Sequence, residues 1–566
     1  MGCAKRCRFP TIASTRARLA ANRLHKPGAF AKGGVMVQRH FKFWAQTAMA
    51  TMACSAASVA SAFCGFYAGK ADANLFNEAS QVVMARDGKR TVISMLNDYK
   101  GPFSEFALVV PTPTTLQKGQ VRVAQKLAFE RLDAYSSPRL AQYHDNDPCQ
   151  VNFNWGWDAR PRYPAAYAPM PVAAAAAPAP PRSAARDQAL GVTVEAQYTM
   201  EEYDIVSLSA TQSDGLETWL RENGYKIPAG ASAALKPYIN QGMKFFVAKV
   251  NLKEQIKTGY TTLRPLQFAF ESEKFMLPMR LGMLNAPPDK PQDLIIYMLT
   301  REGRVESSNY RTVKLPANMN LPHFIKPKFQ DFYKALFANE SLKEEHRVVF
   351  TEYFWDMAWC DPCAANPLSK DELRQAGVFW VGGGAQPVVL TRMHVRYTAN
   401  TFPEDLMFTQ TKDRQNWQTR YVVQNPYDSS VAQCSDKVAQ MDCEAMCKPR
   451  VSQVLNAPSY EGQKAIYRDK DPYALQRDCI AACVASKQSG IDAAAKYYQT
   501  DLPRRIDQEK QTLARLTGWK MSEIDALPQA GKFAGDGNTA RVAVGPHPSH
   551  GKPWWEQLFK TTKATP

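Results

Sequence analysis

The chain has 566 residues, 45% of them hydrophobic and 11% aromatic, enough apolar side chain for several buried cores and too much for a disordered protein. Its formal charge of +17 suggests a nucleic-acid binder until it is divided: residues 1–62 hold ten Lys/Arg and no acid, which leaves +7 for everything that follows. No Lys/Arg-rich block with interleaved aromatics occurs in that remainder, so no nucleic-acid partner is expected, whereas mild attraction to an anionic envelope polymer or membrane surface is allowed.

Met36 opens a stretch that reads as a secretory signal. Arg39, His40 and Lys42 make its basic start, Phe43 to Ala62 is a weakly apolar run, and Ala60-Ser61-Ala62 supplies a small-residue cleavage site, so removal after Ala62 is expected. The run is too rich in Ala, Ser and Thr for a membrane span, and no transmembrane segment is expected in the mature chain. Residues 1–35 are Arg-rich and acid-free, which fits either a transit peptide or a mis-assigned start upstream of a true initiator at Met36. The expected location is exported, periplasmic or at the cell surface.

Beyond the leader, Val82-Val83-Met84 and Thr91-Val92-Ile93 flank Asp87-Gly88, the signal of a tight hairpin. Phe106 to Val110 is a further strand that Pro111 should end, since proline has no N–H for a ladder. Leu116 to Leu132 reads as helical. Residues 63–158 are thus a strand-rich first part of the body, and the Ala/Pro-rich residues 159–190 a linker or inserted loop.

Residues 191–425 read as the main α+β body. Val192 to Tyr198 alternates as a half-buried strand with Tyr203 to Leu208 as its partner. Ser213 caps a short helix through Trp219 and Leu220, which Asn223-Gly224 should end in the left-handed conformation. Phe245–Leu252, Leu266–Phe270, Phe275–Leu284 and Leu294–Leu299 are strand candidates, and Pro327 starts a helix with Phe329, Phe332, Tyr333 and Leu336 on one face. Val348 to Met357 is a strand, Ser369 and Glu372 form a capping box, and Leu390 to Tyr397 alternates with Met393, Val395 and Tyr397 inward and Arg392, His394 and Arg396 outward. A hairpin of Leu406–Thr411 with Trp417–Val423 should close the sheet. Residues 426–520 turn helical, with Asp471-Pro472 as a helix start, and residues 521–566 read as a mobile tail. The expected fold is therefore α+β, a strand-rich and mainly antiparallel body with a C-terminal disulfide-braced helical hairpin.

The mature chain holds nine cysteines. Cys443-x3-Cys447 and Cys479-x3-Cys483 each place two thiols one turn apart on a helical face, and two such faces set antiparallel pair Cys443 with Cys483 and Cys447 with Cys479. A four-thiolate zinc site at the same spacing is the rival reading. Taking Cys360 and Cys363 as a local disulfide leaves Cys64, Cys149 and Cys434, an odd set with one thiol free or intermolecular.

Other motifs have bland readings. Gly382-Gly383-Gly384 follows a strand expected at Val378–Val381 but lacks the Lys-Ser/Thr of a phosphate loop. His346, beside Glu344 and Glu345, has no second His at ligand spacing, and His394 lies on the polar face of an alternating strand, so both read as surface residues; His547 and His550, which could hold a metal only weakly, lie in the expected tail. No cofactor is expected.

Ala85-Arg86-Asp87-Gly88, Val109-Val110-Pro111-Thr112-Pro113, Tyr203-Asp204, Trp219-Leu220 through Asn223-Gly224-Tyr225, and Cys360-Asp361-Pro362-Cys363 together resemble the secreted bacterial proteins of domain-of-unknown-function family 2330. The resemblance spans about residues 63–425 and implies an exported, envelope-associated protein. It implies no activity, cofactor or site residues. Trp359-Cys360-Asp361-Pro362-Cys363 after a strand also resembles the W-C-x-x-C of thioredoxin-like proteins, which makes an exported thiol–disulfide oxidoreductase centred on Cys360 the alternative to a non-catalytic binding or scaffolding role. Against it, Asn366-Pro367 separates the thiols from the next capped helix start and Asp361 sets a negative charge beside Cys360, both of which disfavour the thiolate.

Overall fold

A computed structural model describes residues 66–68, 76–100, 107–151, 153, 190–223, 225, 227–228, 230–258, 263–285, 291–359, 361, 366–382, 387–455 and 471–528. The leader and its cleavage site, Cys64, the Ala/Pro-rich stretch, Cys360, Cys363, Gly383, Gly384, His547, His550 and most of the expected tail lie outside the described residues.

In chain order the strands are β1 (Phe66–Ala68), β2 (Phe76–Asp87), β3 (Arg90–Lys100), β4 (Ala107–Thr112), β5 (Val121–Val123), β6 (Arg139–His144) and β7 (Val192–Met200). They continue as β8 (Tyr203–Ala210), β9 (Lys244–Val250), β10 (Leu266–Glu271), β11 (Met276–Leu277), β12 (Gln292–Thr300), β13 (Val305–Ser307) and β14 (Arg311–Lys314). The last are β15 (Met319–Leu321), β16 (Val348–Asp356), β17 (Val389–Tyr397), β18 (Leu406–Gln410), β19 (Trp417–Gln418) and β20 (Arg420–Asn425). The helices are α1 (Lys126–Ser136), α2 (Ser213–Glu222), α3 (Ala231–Asn240), α4 (Leu252–Thr258), α5 (Phe329–Lys343) and α6 (Lys370–Gln375). After the body come α7 (Val431–Ala439), α8 (Cys443–Leu455), α9 (Pro472–Lys496), α10 (Leu502–Thr517) and α11 (Met521–Asp525).

Two sheets make the body. One has the order β1-β4-β9-β8-β7; the other runs β14-β16-β17-β12-β2-β3-β10-β5, with β19 paired to β16. Most neighbours are antiparallel; β2 beside β12 and β14 beside β16 are the parallel pairs in these two sheets. The β2–β3 hairpin turns through Gly88, whose φ of +59° a side chain resists, and sets Asp87 opposite Arg90.

Alternation in the strands sorts their side chains into layers. Val82, Met84, Ile93 and Met95 meet Leu108, Val110, Phe246 and Ala248, so the two sheets pack face to face. The opposite set, Val83, Ala85 and Val92, packs with Phe129 and Leu132 of α1 and Leu373 of α6. On the far side of the smaller sheet, Val109, Phe245 and Val247 bury Leu216 and Leu220 of α2 and Leu235 and Tyr238 of α3. The result is four layers, helix, sheet, sheet, helix, with α10 stacked on α5 through Ile506, Leu513, Phe332 and Leu336.

The C-terminal helices are held covalently. Cys443 bonds Cys483 and Cys447 bonds Cys479, bracing α8 against α9, and Cys149 bonds Cys434, fastening α7 to the segment after β6. The fold is thus α+β with a mainly antiparallel body and a disulfide-braced helical hairpin.

Several local expectations are corrected. Leu116–Leu132 is half helix only: β-branched Val121 and Val123 add an edge strand to β10, and α1 begins at Lys126. β4 runs through Pro111 to Thr112, because β1 covers only Ala107–Val109 and leaves a side of Pro111 with no strand to receive a donor. Phe275–Leu284 is a two-residue strand followed by a 3-10 turn, Arg280–Asn285. Val378–Val381 forms no strand, although Trp380 and Val381 are buried beside α6. At the end of α2, Asn223 is the C-cap at φ −82°, with its side-chain Nδ2 donating to the Trp219 carbonyl and the Tyr225 N–H donating to the Leu220 carbonyl, while Gly224, on which the expected left-handed ending also rests, lies outside the described residues. Leu406–Thr411 does not pair with Trp417–Val423: β18 lies between β11 and β13, while β20 joins β15 and β6. Alternation tells which face a strand buries but not which strand it joins. Of the odd thiols, Cys149 and Cys434 pair across the fold. Arg392 and His394 do not point to solvent.

Candidate functional site

β17 is a central strand with helices over one face, so its polar alternate residues are buried with that face. Arg392 is fully buried and His394 is 4% exposed. Their partner comes from a bulge in β16: the register with β17 slips between Thr351 and Tyr353, which lets Glu352 and Tyr353 both turn to the helix side. Arg392 Nε donates to Glu352 Oε2 at 2.5 Å, and its Nη1 donates to Asp133 of α1 at 2.6 Å. His394 Nδ1 lies 2.7 Å from Glu352 Oε1, to which the Tyr333 hydroxyl of α5 also donates. Tyr297 of β12 donates to Asp133 at 3.1 Å, and Arg396 grips Asp293 through two bonds of 2.8 and 2.7 Å.

Burial pushes the Glu352 carboxyl up, but Arg392 and His394 together with the Tyr333 hydrogen bond hold it down at about 2. Burial lowers His394, and the carboxylates of Glu352 and Asp293 outweigh it and raise it. The Phe337 ring stacks on His394 at 3.7 Å and 9° and closes the top of the network. With an acid–base pair buried away from solvent, the arrangement ties α1, α5, β12, β16 and β17 together.

A site open to solvent lies at the β5 edge of the same sheet, a cleft of about 410 Å³ lined by Arg90, Arg122, Arg374 and Phe379. Among the described strands β5 pairs with β10 alone, which places Arg122 opposite Gln267. Buried Gln267 is fixed by donating to Ser94 Oγ and to the Gln375 carbonyl at 3.0 Å, and its Oε1 accepts from Arg122 Nε. Arg122 Nη2 donates to the Arg374 carbonyl in the last turn of α6 at 2.9 Å. Gly377, at φ +97°, allows the chain after α6 to run against Val92, where a Cβ would stand 2.7 Å from Val92 Cγ1. Arg90 lies 4.6 Å over the Phe379 ring. Burial pushes the Arg122 guanidinium down from its ordinary value, and among the described residues no carboxylate forms an ion pair with Arg122 to offset this. Arg374 pairs with Asp371 on the rim. A carboxylate or phosphate oxygen is the group such a cleft is suited to hold.

Of the residues the sequence singled out, Cys360 and Cys363 lie outside the described residues. Around them, β16 ends at Asp356 and the next described helix starts at Lys370, with Ser369 and Glu372 in a capping box. Asp361 is buried and accepts from the Tyr353 hydroxyl at 3.2 Å. Among the described residues no group of three or more His, Cys, Asp or Glu could hold a metal ion, and no helix is long and apolar enough to cross a membrane.

Sequence reasoning missed both clusters. The signal for the buried one was present: Glu352 sits in the apolar run Val348–Asp356, where an unpaired carboxylate is untenable, so a buried cation had to exist elsewhere. The arginine cleft left no signal, because positions 90, 122 and 374 meet only in the fold.

Fold and cleft together define a four-layer α+β protein with a disulfide-braced helical appendage and a basic surface cleft. The chain belongs to the family described as uncharacterized protein conserved in bacteria (DUF2330), whose family model matches residues 58–409. No curated protein and no solved structure matches it.

Proposed function

We propose that this protein is exported to the bacterial envelope and acts there by binding rather than by catalysis, taking the anionic group of an envelope polymer or membrane surface into the Arg90–Arg122–Arg374 cleft. The observation that carries the reading is Arg122, a guanidinium anchored on two sides and without a carboxylate partner, facing a cleft of ligand size. Export is supported by the disulfides at Cys149, Cys443 and Cys447, which persist in oxidising compartments. The non-catalytic half is supported by the distance in sequence from Cys360 to the α6 start at Lys370, which deprives that thiol of the α6 N-terminus.

The test uses the mature chain and a glycerol-phosphate polymer as probe. Binding at low salt that weakens steeply as ionic strength rises, and that falls about tenfold in Arg122→Gln, is the expected result. Binding untouched by Arg122→Gln, or none at all, overturns the cleft assignment. The same preparation should not reduce a protein disulfide; turnover abolished by Cys360→Ser would install the oxidoreductase reading instead.

A further inference from the structure

A second cleft, of about 310 Å³, opens on the far side of the smaller sheet, where β7, β8 and β9 extend past the end of α2. Its floor is the sheet and its wall is aromatic: Trp219 in the last turn of α2 and Tyr225 just beyond it, both partly exposed. The register slip between Val194 and Ala196 in edge strand β7 turns Gln197 and Thr199 to the same face as Val194, so that polar side chains join Val194, Val206 and Val247 in the cleft. Asp204 is held in place as it accepts from Thr199 Oγ1 at 2.8 Å and from Asn251 Nδ2 at 3.2 Å. Asn223 donates to the Trp219 carbonyl, which fixes the end of α2 and leaves its amide oxygen as an acceptor. Lys249 lies 5.9 Å from the Tyr225 ring centre.

Asp204 belongs to one of the stretches that carry the family resemblance and Trp219, Asn223 and Tyr225 to another, and the two meet in this cleft. The bland reading is an aromatic cover over a sheet end, and both rings do pack against the apolar core of that face, yet they stay partly exposed in a cleft that also holds Gln197, Thr199, Asp204 and Lys249. Among the described lining residues the charged ones are Asp204 and Lys249, of opposite sign, which favours an uncharged ligand over a polyanion. Aromatic faces flanked by fixed carboxylate, amide and hydroxyl groups match the two sides of a pyranose ring: its C–H face lies on the negative π face, and its vicinal hydroxyls both donate and accept.

We propose that this cleft binds a ring of an uncharged saccharide, with Trp219 as the stacking platform and Asp204 as the hydroxyl acceptor. The inference goes beyond the anion cleft and does not depend on it. The probes are the trisaccharides of N-acetylglucosamine and of β-1,4-linked glucose, titrated against the full mature chain by calorimetry and tryptophan fluorescence. At least one should bind, with a shift in the tryptophan emission, and affinity should fall about tenfold or more in Trp219→Ala and in Asp204→Asn while both variants remain folded at the temperature of the titration. Arg122→Gln should leave this binding unchanged, which separates its outcome from that of the anion cleft. Failure of both trisaccharides to bind at about 10 mM, or binding that survives both Trp219→Ala and Asp204→Asn, overturns the proposal.

Discussion

At the scale of single residues the protein places charge where its environment decides the protonation state. Glu352 is held at about 2, below its ordinary 4.5, so its contribution to stability is complete above about pH 4.5 and is lost as pH falls through 2. Glu352→Gln should destabilise the protein by about 3–5 kcal/mol at neutral pH, because it leaves Arg392 and His394 short of their shared carboxylate; chemical denaturation measures this. Glu509 on α10 runs the other way. Burial pushes it up to about 7, with the charge of Arg505 pulling down and Asp145 pushing up, since Arg505 is already engaged by Asp145 at 2.9 and 2.7 Å. A carboxyl whose folded value exceeds its unfolded one adds stability that is full below about pH 4.5 and is lost as pH rises through 7. Glu509→Gln should therefore flatten that part of the stability profile and raise the unfolding free energy at pH 8 by on the order of 1–2 kcal/mol. A parent profile already flat between pH 5 and 8 would contradict the placement of Glu509.

Among the elements, the helical hairpin shows how nested crosslinks work. The Cys447–Cys479 bond spans 32 residues, and the Cys443–Cys483 bond, spanning 40, lies directly outside it. With either bond intact the other closes only a small ring, so losing one removes less chain-entropy restraint than losing the first bond of an open chain. Replacing Cys447 should cost the same as replacing Cys479, with the double change no worse than either, whereas removing both bonds should cost more than the two single losses added together. Unfolding midpoints of these variants, with one lacking the Cys443–Cys483 bond alone, decide it; additive losses for Cys447 and Cys479 would mean that they are not partners. A bulge does comparable work in the sheets: slips in β16 and β7 turn polar residues toward, respectively, the buried network and the aromatic cleft.

For the whole molecule the matter is how an appendage stays on a body. The Cys149–Cys434 bond spans 285 residues, and α10 adds an apolar contact on α5, so the C-terminal helices are fastened covalently at one place and by burial at another. Such a design suits a protein that meets an oxidising envelope, and the mature chain is expected to begin at Phe63 after cleavage behind Ala62. Intact mass of protein taken from the envelope fraction checks it. Retention of residues 1–62 there would remove the basis for the export reading.

What the sequence determined by itself was local. Asp87-Gly88 specified a hairpin, Ser369 with Glu372 a capping box, Asp471-Pro472 a helix start, and two C-x3-C pairs a braced hairpin, because each rests on a few neighbouring residues whose backbone chemistry has one good solution. Tertiary structure decided whatever depends on who lies opposite. The alternation of Arg392, His394 and Arg396 with Met393, Val395 and Tyr397 looked like a solvated face and became a buried ionic one once α1 and α5 covered it. Val121 and Val123 left a helical run because β10 had an open edge, and β18 joined β11 and β13 in place of its sequence neighbour. Both clefts are of this second kind: Arg90, Arg122 and Arg374, like Asp204, Trp219 and Lys249, are ordinary surface residues along the chain, and only the packing of distant strands and helix ends gives each set a common solvent space.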